Sequence, residues 1–199
     1  MINEDELMQE VDGNSAVEIL KRLGIKTQLD LAMIETDICT FKVTFIPNRW
    51  EHFENFLSIT NGSWVKVKYF TSNGEKNPEL ARIPNDKGGI YIYYIEPEGV
   101  PVDHYSCIMY VGRAHYGEGT QNLRKRINSY ESESEDLYRG RIKIRQLFNI
   151  YKNYLHVMYI TIDGNDKIDK LEKELTTAIV PPVNSDLFQK TLKDARNMF

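Results

Sequence analysis

Four short groups of residues in the second half of the chain carry side chains that can act on a phosphate ester. In chain order they are GIY at 89–91, YVG at 110–112, NLRKR at 122–126, and Glu172 followed by Pro181 and Asn184. A glutamate oxygen is a hard ligand that suits Mg²⁺ or Mn²⁺, and an arginine can donate two parallel hydrogen bonds to a phosphate. A tyrosine hydroxyl can exchange a proton with water. These residue types therefore suit phosphodiester hydrolysis.

The order and spacing of these groups resemble the GIY-YIG nuclease superfamily over residues 88–184, about half of the chain. A single GIY or YVG is a weak signal, but the four groups in order are specific. The resemblance implies that Tyr91 and Tyr110 are the tyrosines of the two name motifs. It also implies that Arg126 is the arginine of the NLxxR helix and that Glu172 is the metal-binding glutamate.

The metal site implied by the resemblance rests on Glu172, since Pro181 and Asn184 follow it at the family's intervals. Glu174 is the nearby rival, but its spacing to Pro181 is wrong and it points to another side of the helix. One carboxylate predicts a one-metal site holding Mg²⁺ or Mn²⁺, because two-metal nucleases need several clustered acids. The histidines show no spacing typical of a zinc site.

The remaining site residues are expected to bind or support the substrate. Arg113 falls where relatives in nucleotide excision repair have a lysine, and Tyr130 stands where family members have tyrosine or histidine. Asn184 supports the site by resemblance. His115 lies in the loop beside Tyr110 and is either an aid to proton transfer or an exposed loop residue.

The expected roles of the two motif tyrosines also follow from the resemblance. Tyr91 is predicted to be the general base, provided that nearby cations or the metal lower its pKa from about 10. Tyr110 is predicted to position the phosphate or the water, and Arg126 to stabilise the transition-state charge. Taken singly, a strand tyrosine is usually a core residue and a helix glutamate usually a solvated one. The joint order of the residues favours the active site.

The elements that must position these residues can be read from the apolar patterns. GGIYIYYI, CIMYVG and LHVMYITI are typical of strands, and helices are expected from near Thr120, over residues 138–151 and over residues 169–179. The sequence thus predicts an α+β fold, with a small mainly antiparallel three-stranded sheet flanked by helices in residues 81–199. Residues 1–80, which include the strand-like WVKVKYF, are predicted to form an N-terminal accessory α/β subdomain.

The formal net charge of −4 argues against a protein that coats nucleic acid non-specifically. Local charge differs, because basic residues concentrate between residues 113 and 145 and can form one cationic face. The part from Arg139 to Arg145 is equally typical of a solvated helix surface. The basic residues concerned are Arg113, Arg124, Lys125, Arg126, Arg139, Arg141, Lys143 and Arg145.

The cellular setting is predicted to be the cytoplasm. Cys39 and Cys107 lie far apart in apolar stretches, which is typical of buried thiols in a reducing compartment. The N-terminal MINEDELMQE is acidic and has no apolar core, and no apolar run approaches the length of a membrane span. Neither secretion nor membrane insertion is expected.

The expected partner is DNA, cut by a stand-alone nuclease of restriction, phage or defence type. A restriction-like enzyme must form a homodimer to cut both strands of a palindrome. Two other interpretations remain: a non-catalytic nucleic-acid-binding module of the same fold, and a nuclease recruited by a protein partner through residues 1–80. The stretch between Gly112 and Arg126 is longer than in compact family members, and it either shapes substrate access or is an ordinary loop expansion.

Overall fold

The computed structural model describes residues 64–97, 106–117, 121–135 and 141–184. All of these belong to one compact unit of the chain, Phe41–Phe199. The predictions for residues 1–63, for the link beyond Pro97 and for the tail after Asn184 lie outside the described residues. In the part of the chain that is described, no helix has both the length and the apolar character needed to cross a membrane.

The fold is α+β and is built on one antiparallel sheet. Its strands are β1 (Val65–Lys68), β2 (Gly89–Ile95), β3 (Cys107–Ala114) and β4 (Leu155–Thr161), in the spatial order β1-β4-β2-β3. β2 is central and pairs with both β3 and β4. The three strands predicted around the GIY, YVG and LHVMYITI segments are therefore confirmed.

The prediction of a three-stranded sheet was wrong, because β1 adds a fourth strand. β1 pairs with β4, and Val67 faces Val157 across the pair. The sequence analysis recognised this segment as a strand but assigned it to residues 1–80. Alternation along a segment predicts a strand without naming its partner, and here burial of Val67 with Val157 in a common core decides the pairing.

The two faces of the sheet differ in composition because β2 alternates. Its sequence GIYIYYI sends successive side chains to opposite faces. Tyr91 and Tyr93 enter one core with Tyr110, and we call this side the tyrosine face. Ile90 and Ile92 enter a second core on the side that we call the isoleucine face.

Two helices cover the tyrosine face. α1 (Leu123–Glu135), the helix predicted from near Thr120, buries Leu123, Ile127 and Tyr130, which lie at helical spacing on one face. The Asn122 side chain accepts a hydrogen bond from the Lys125 N–H and so caps the helix start. α2 (Ile142–Ile150) lies within the helix predicted over residues 138–151 and packs into the same core.

The isoleucine face is covered by α3 (Asn165–Ile179), which begins four residues before its predicted start at Asp169. Its Ile168, Leu171 and Leu175 pack against the sheet. The helix ends where Val180 takes a left-handed conformation with φ 52° and donates its N–H to the Thr176 carbonyl. Two prolines follow and prevent the helix from continuing.

Candidate active site

Three tyrosine hydroxyls from three elements meet on the tyrosine face. The Tyr130 hydroxyl, on α1, lies 2.8 Å from that of Tyr91 on β2 and 2.9 Å from that of Tyr110 on β3. All three side chains are buried. We call this hydrogen-bonded chain the tyrosine cluster, and it unites three residues that the sequence analysis singled out.

The glycine of the YVG motif makes this cluster possible. Gly112 lies directly across from Tyr91 in the β2–β3 pairing. A Cβ at this position would overlap the end of the Tyr91 ring and crowd the ring of Tyr110. Beside Tyr110, β3 carries a bulge, since Tyr93 pairs with Tyr110 but Tyr94 pairs with Ile108. Bulges often aim side chains at functional sites.

Burial raises the pKa of Tyr91 well above its usual value of 10, with smaller contributions from Tyr130, Tyr110 and Tyr93. The pKa of Tyr110 is raised as well, mainly by burial. Arg126 lowers the pKa of Tyr91, but desolvation of a phenolate is the larger effect. The cations of the described residues therefore do not produce the expected lowering, and the role of Tyr91 as general base stays a prediction. In this arrangement burial favours the protonated form of both tyrosines.

Arg126, the predicted arginine of α1, lies against the tyrosine cluster. Its guanidinium carbon is 5.0 Å from the centre of the Tyr130 ring, and its charge acts on Tyr91. The guanidinium is half-buried, so part of it remains open to an incoming anion. Arg126 therefore lies beside the motif tyrosines with which the sequence analysis grouped it.

Arg141 is a second arginine at the cluster, and the sequence analysis did not select it. Its guanidinium carbon lies 5.0 Å from the Tyr130 ring centre and 5.7 Å from that of Tyr110. The available signal was its membership of the basic stretch from 139 to 145. That signal is common on solvated helices and gave no position relative to Tyr110.

Glu172 lies in a second group of charged residues, joined by Arg113. The Arg113 Nη1 atom donates to the Glu172 carboxylate at 2.8 Å, and its Nε lies 3.2 Å from Asp169. His115 is hydrogen-bonded to the same Asp169. Asp169 was missed as a site residue, although a spacing of three residues puts it on the same helix face as Glu172.

Burial raises the pKa of Glu172 from its usual value, against the opposing effect of Arg113. The carboxylate is therefore costly to keep ionised without a cation beside it. Arg113 supplies a cation in this structure.

The side chains around Glu172 determine whether a divalent metal fits there. In the described residues no group of three or more His, Cys, Asp or Glu side chains is arranged to hold an ion. Mg²⁺ needs only one or two carboxylates, because it keeps several waters. Glu172 and Asp169 lie one helical turn apart, and both carboxylates contact the Arg113 guanidinium. Such a pair of carboxylates fits a weakly held divalent ion.

Asn184 is bound to the YVG segment itself. Its side-chain amide donates to the Val111 carbonyl at 2.8 Å, and its side-chain oxygen accepts from the Val111 N–H at 3.0 Å. The Val183 N–H adds a bond to the Met109 carbonyl. The segment after α3 therefore continues the pairing along the outer edge of β3, which explains why prolines and an asparagine follow Glu172 at a fixed distance.

The predicted site residues thus form two groups on opposite sides of β3, because Tyr110 faces the tyrosine core and Arg113 points toward α3. Tyr91, Tyr110, Tyr130 and Arg126 form one, and Glu172, Arg113 and His115 form the other, while Asn184 holds the strand between them. Tyr110 and Arg113 are three residues apart, about 10 Å along a strand. No protein-family model, no curated protein and no solved structure matches this chain. The GIY-YIG resemblance accordingly stays a prediction.

Proposed function

We propose that residues 81–199 act as a divalent-metal-dependent DNA endonuclease of the GIY-YIG type. The carrying observation is the tyrosine cluster with Arg126: three hydroxyls from the GIY strand, the YVG strand and α1 meet within hydrogen-bond distance beside a guanidinium. These residues lie up to 39 positions apart in the chain. Their meeting is what a phosphate-binding site built from those motifs requires.

The chemistry of the cluster suits a phosphate in its transition state. Because burial keeps Tyr91 and Tyr110 neutral, their hydroxyls can donate hydrogen bonds rather than repel an anion. The Arg126 guanidinium adds a fixed positive charge and paired donors. Donors that are already oriented stabilise developing negative charge without reorganising during the reaction.

Glu172 is the residue that would hold the metal, with Asp169 as the second available carboxylate. A bound Mg²⁺ or Mn²⁺ supplies a Lewis acid and lowers the pKa of a bound water. Glu172 is buried, and its carboxylate needs a nearby cation to stay ionised. The Arg113 guanidinium is that cation in the structure described. If a metal ion paired with Glu172, Arg113 would be able to turn to the phosphate.

We place the general base outside the tyrosine cluster, because burial raises the pKa of both Tyr91 and Tyr110. His115 is partly exposed and hydrogen-bonded to Asp169. A histidine oriented by a carboxylate is a common general base, and we assign proton transfer to His115. His115→Gln should slow cleavage by about 10²-fold, and a rate equal to that of wild type rejects this role.

The test of the proposed function is cleavage of supercoiled plasmid by the full chain in Mg²⁺ or Mn²⁺. Glu172→Ala should reduce cleavage by about 10³-fold, the scale of losing a main charge-stabilising group. Glu174→Ala is the matched control, since it removes a carboxylate two residues along the same helix and should leave the rate within about threefold of wild type.

Each result of this assay decides between functions. Metal-dependent cutting that disappears only in Glu172→Ala supports the nuclease. Discrete double-strand fragments would also indicate a homodimer, which sedimentation can check. Binding of DNA without cutting in either metal would overturn the proposal in favour of a non-catalytic module. Equal loss in the Glu172 and Glu174 variants would remove Glu172 from the site.

A further inference from the structure

Arg141 contacts the tyrosine cluster from a different element than Arg126. Arg126 acts electrostatically on Tyr91, whereas Arg141 lies over the rings of Tyr130 and Tyr110. Both guanidinium carbons lie 5.0 Å from the centre of the Tyr130 ring. The chain of hydroxyls therefore has one arginine at its Tyr91 end and another at its Tyr110 end.

The charge around the cluster is unbalanced. Arg141 forms an ion pair with Glu133 at 3.1 Å, and both of its bonds go to the same carboxylate oxygen. Among the described residues, two guanidiniums and this one carboxylate contact or adjoin the cluster, an excess of one positive charge. A buried cluster of hydroxyls with such an excess is suited to receive an anion.

The fold does not bury or cap the whole side chain of Arg141. Arg141 is the N-cap residue of α2, but its side chain makes no capping hydrogen bond. The side chain is 39% exposed, so it reaches solvent as well as the tyrosines. A guanidinium has five N–H donors. The Arg141 donors that now bind the Glu133 oxygen can bind a phosphate oxygen instead.

We propose that Arg141 is a second backbone-phosphate-binding residue of this site. It binds the phosphate next to the one held by Arg126, and Glu133 keeps its side chain in place until DNA displaces that carboxylate. This inference rests on the proposed function, because it takes DNA to be the substrate. It adds a contact that the resemblance to a known family does not supply.

The experiment measures DNA binding by the full chain without cleavage. Anisotropy of a fluorescein-labelled duplex of arbitrary sequence is followed in EDTA over a range of salt concentrations. Each phosphate contact adds about 0.9 to the slope of log K against log salt. Arg141→Gln should reduce the slope by about 0.9 and weaken binding about tenfold, the scale of a lost hydrogen bond to a charged group.

Lys76→Gln is the matched control. Lys76 pairs with Glu131 on the same helix as Glu133, and its amino group lies 5.8 Å from the Tyr69 ring centre. The exposures of the two pairs are similar, 37% and 28% against 39% and 33%. Lys76→Gln removes the same charge away from the three hydroxyls, and its salt slope should equal that of wild type.

Glu133→Gln separates a binding role from a structural one. If Glu133 competes with phosphate for Arg141, removing its charge should tighten binding severalfold; if the pair only supports the fold, binding should weaken or stay the same. An unchanged slope in Arg141→Gln, or an equal fall in Lys76→Gln, overturns the inference. Failure of wild type to bind overturns both proposals, whereas binding with the expected slopes but no cleavage overturns only the nuclease.

Discussion

The two faces of the sheet use the same strand for different purposes. On the isoleucine face, Ile90 and Ile92 pack with α3 through aliphatic side chains. On the tyrosine face, Tyr91 and Tyr93 bring hydroxyls into the core, where each finds a hydrogen-bond partner. Both sets are almost completely buried, so the difference between the faces is one of polarity.

This contrast separates an aliphatic core from a core that contains hydroxyls. Aliphatic burial stabilises the fold in proportion to the area removed from water. A buried hydroxyl loses its water and regains only about 1 kcal/mol net through its new bond. Under the proposed function the hydroxyls of Tyr91, Tyr110 and Tyr130 bind the phosphate, while Glu172 lies on α3, the helix that covers the isoleucine face.

The largest expected effect on stability is on the isoleucine face. Ile92→Ala should lower the free energy of unfolding by about 2–5 kcal/mol, since it leaves a cavity under α3. Denaturant titration measures the loss, and DNA binding by the folded fraction should be unchanged. Ile150→Ala is the control, because that side chain is exposed and its loss should cost no more than about 0.5 kcal/mol. Weakened DNA binding in folded Ile92→Ala would contradict the separation of the two faces.

A smaller loss is expected from Gly112→Ala on the tyrosine face. The new methyl group must displace the Tyr91 ring, which is buried and bonded to Tyr130. Overpacking of this kind should cost about 1–3 kcal/mol of unfolding free energy and should break the hydroxyl chain. In a Tyr91→Leu background the same substitution should cost less, because only the crowding of the Tyr110 ring remains. Equal costs in both backgrounds would show that Gly112 is needed for another reason.

The smallest effect, and one of opposite sign, is expected from Glu172→Gln. Burial raises the pKa of Glu172 above its usual 4.5, so the unfolded chain ionises first and wild-type stability falls as pH rises through that window. The variant cannot ionise, and it should become about 0.5–1 kcal/mol more stable than wild type near neutral pH while losing cleavage.

The pH dependence checks the sign of this prediction. Below the usual carboxyl pKa the two proteins should differ least, and the advantage of Glu172→Gln should grow with pH and then level off. Thermal unfolding at several pH values measures this difference. A variant that is less stable at every pH would mean that the bond between Glu172 and Arg113 outweighs desolvation.

Much of the site could be predicted because its residues follow local patterns. The GIY and YVG segments were predicted as strands from their apolar patterns, and a helix was predicted from near Thr120. The structure bears out these elements, which carry Tyr91, Tyr110 and Tyr130. The pKa of Tyr91 could not be predicted, because its direction depends on how completely the whole fold removes the hydroxyl from water.

Arg141 and Asp169 are residues near the candidate site that the sequence analysis did not select. Each was visible as a charged residue in a basic stretch or at a helix start, which are features that surface residues share. Only the packing of α2 against the tyrosines gives Arg141 its contacts, and only the position of Arg113 on β3 draws Asp169 toward Glu172.

The sequence by itself determined the α+β class and three of the strands. These depend on periodicity and spacing, which are properties of the chain. The tertiary structure decided that β1 joins the sheet, that burial raises the pKa of the tyrosines, and that Arg126 and Arg141 lie by the tyrosine cluster while Arg113 pairs with Glu172. Pairing, desolvation and ion-pair choice are set by atoms distant in sequence, and no local pattern carries that information.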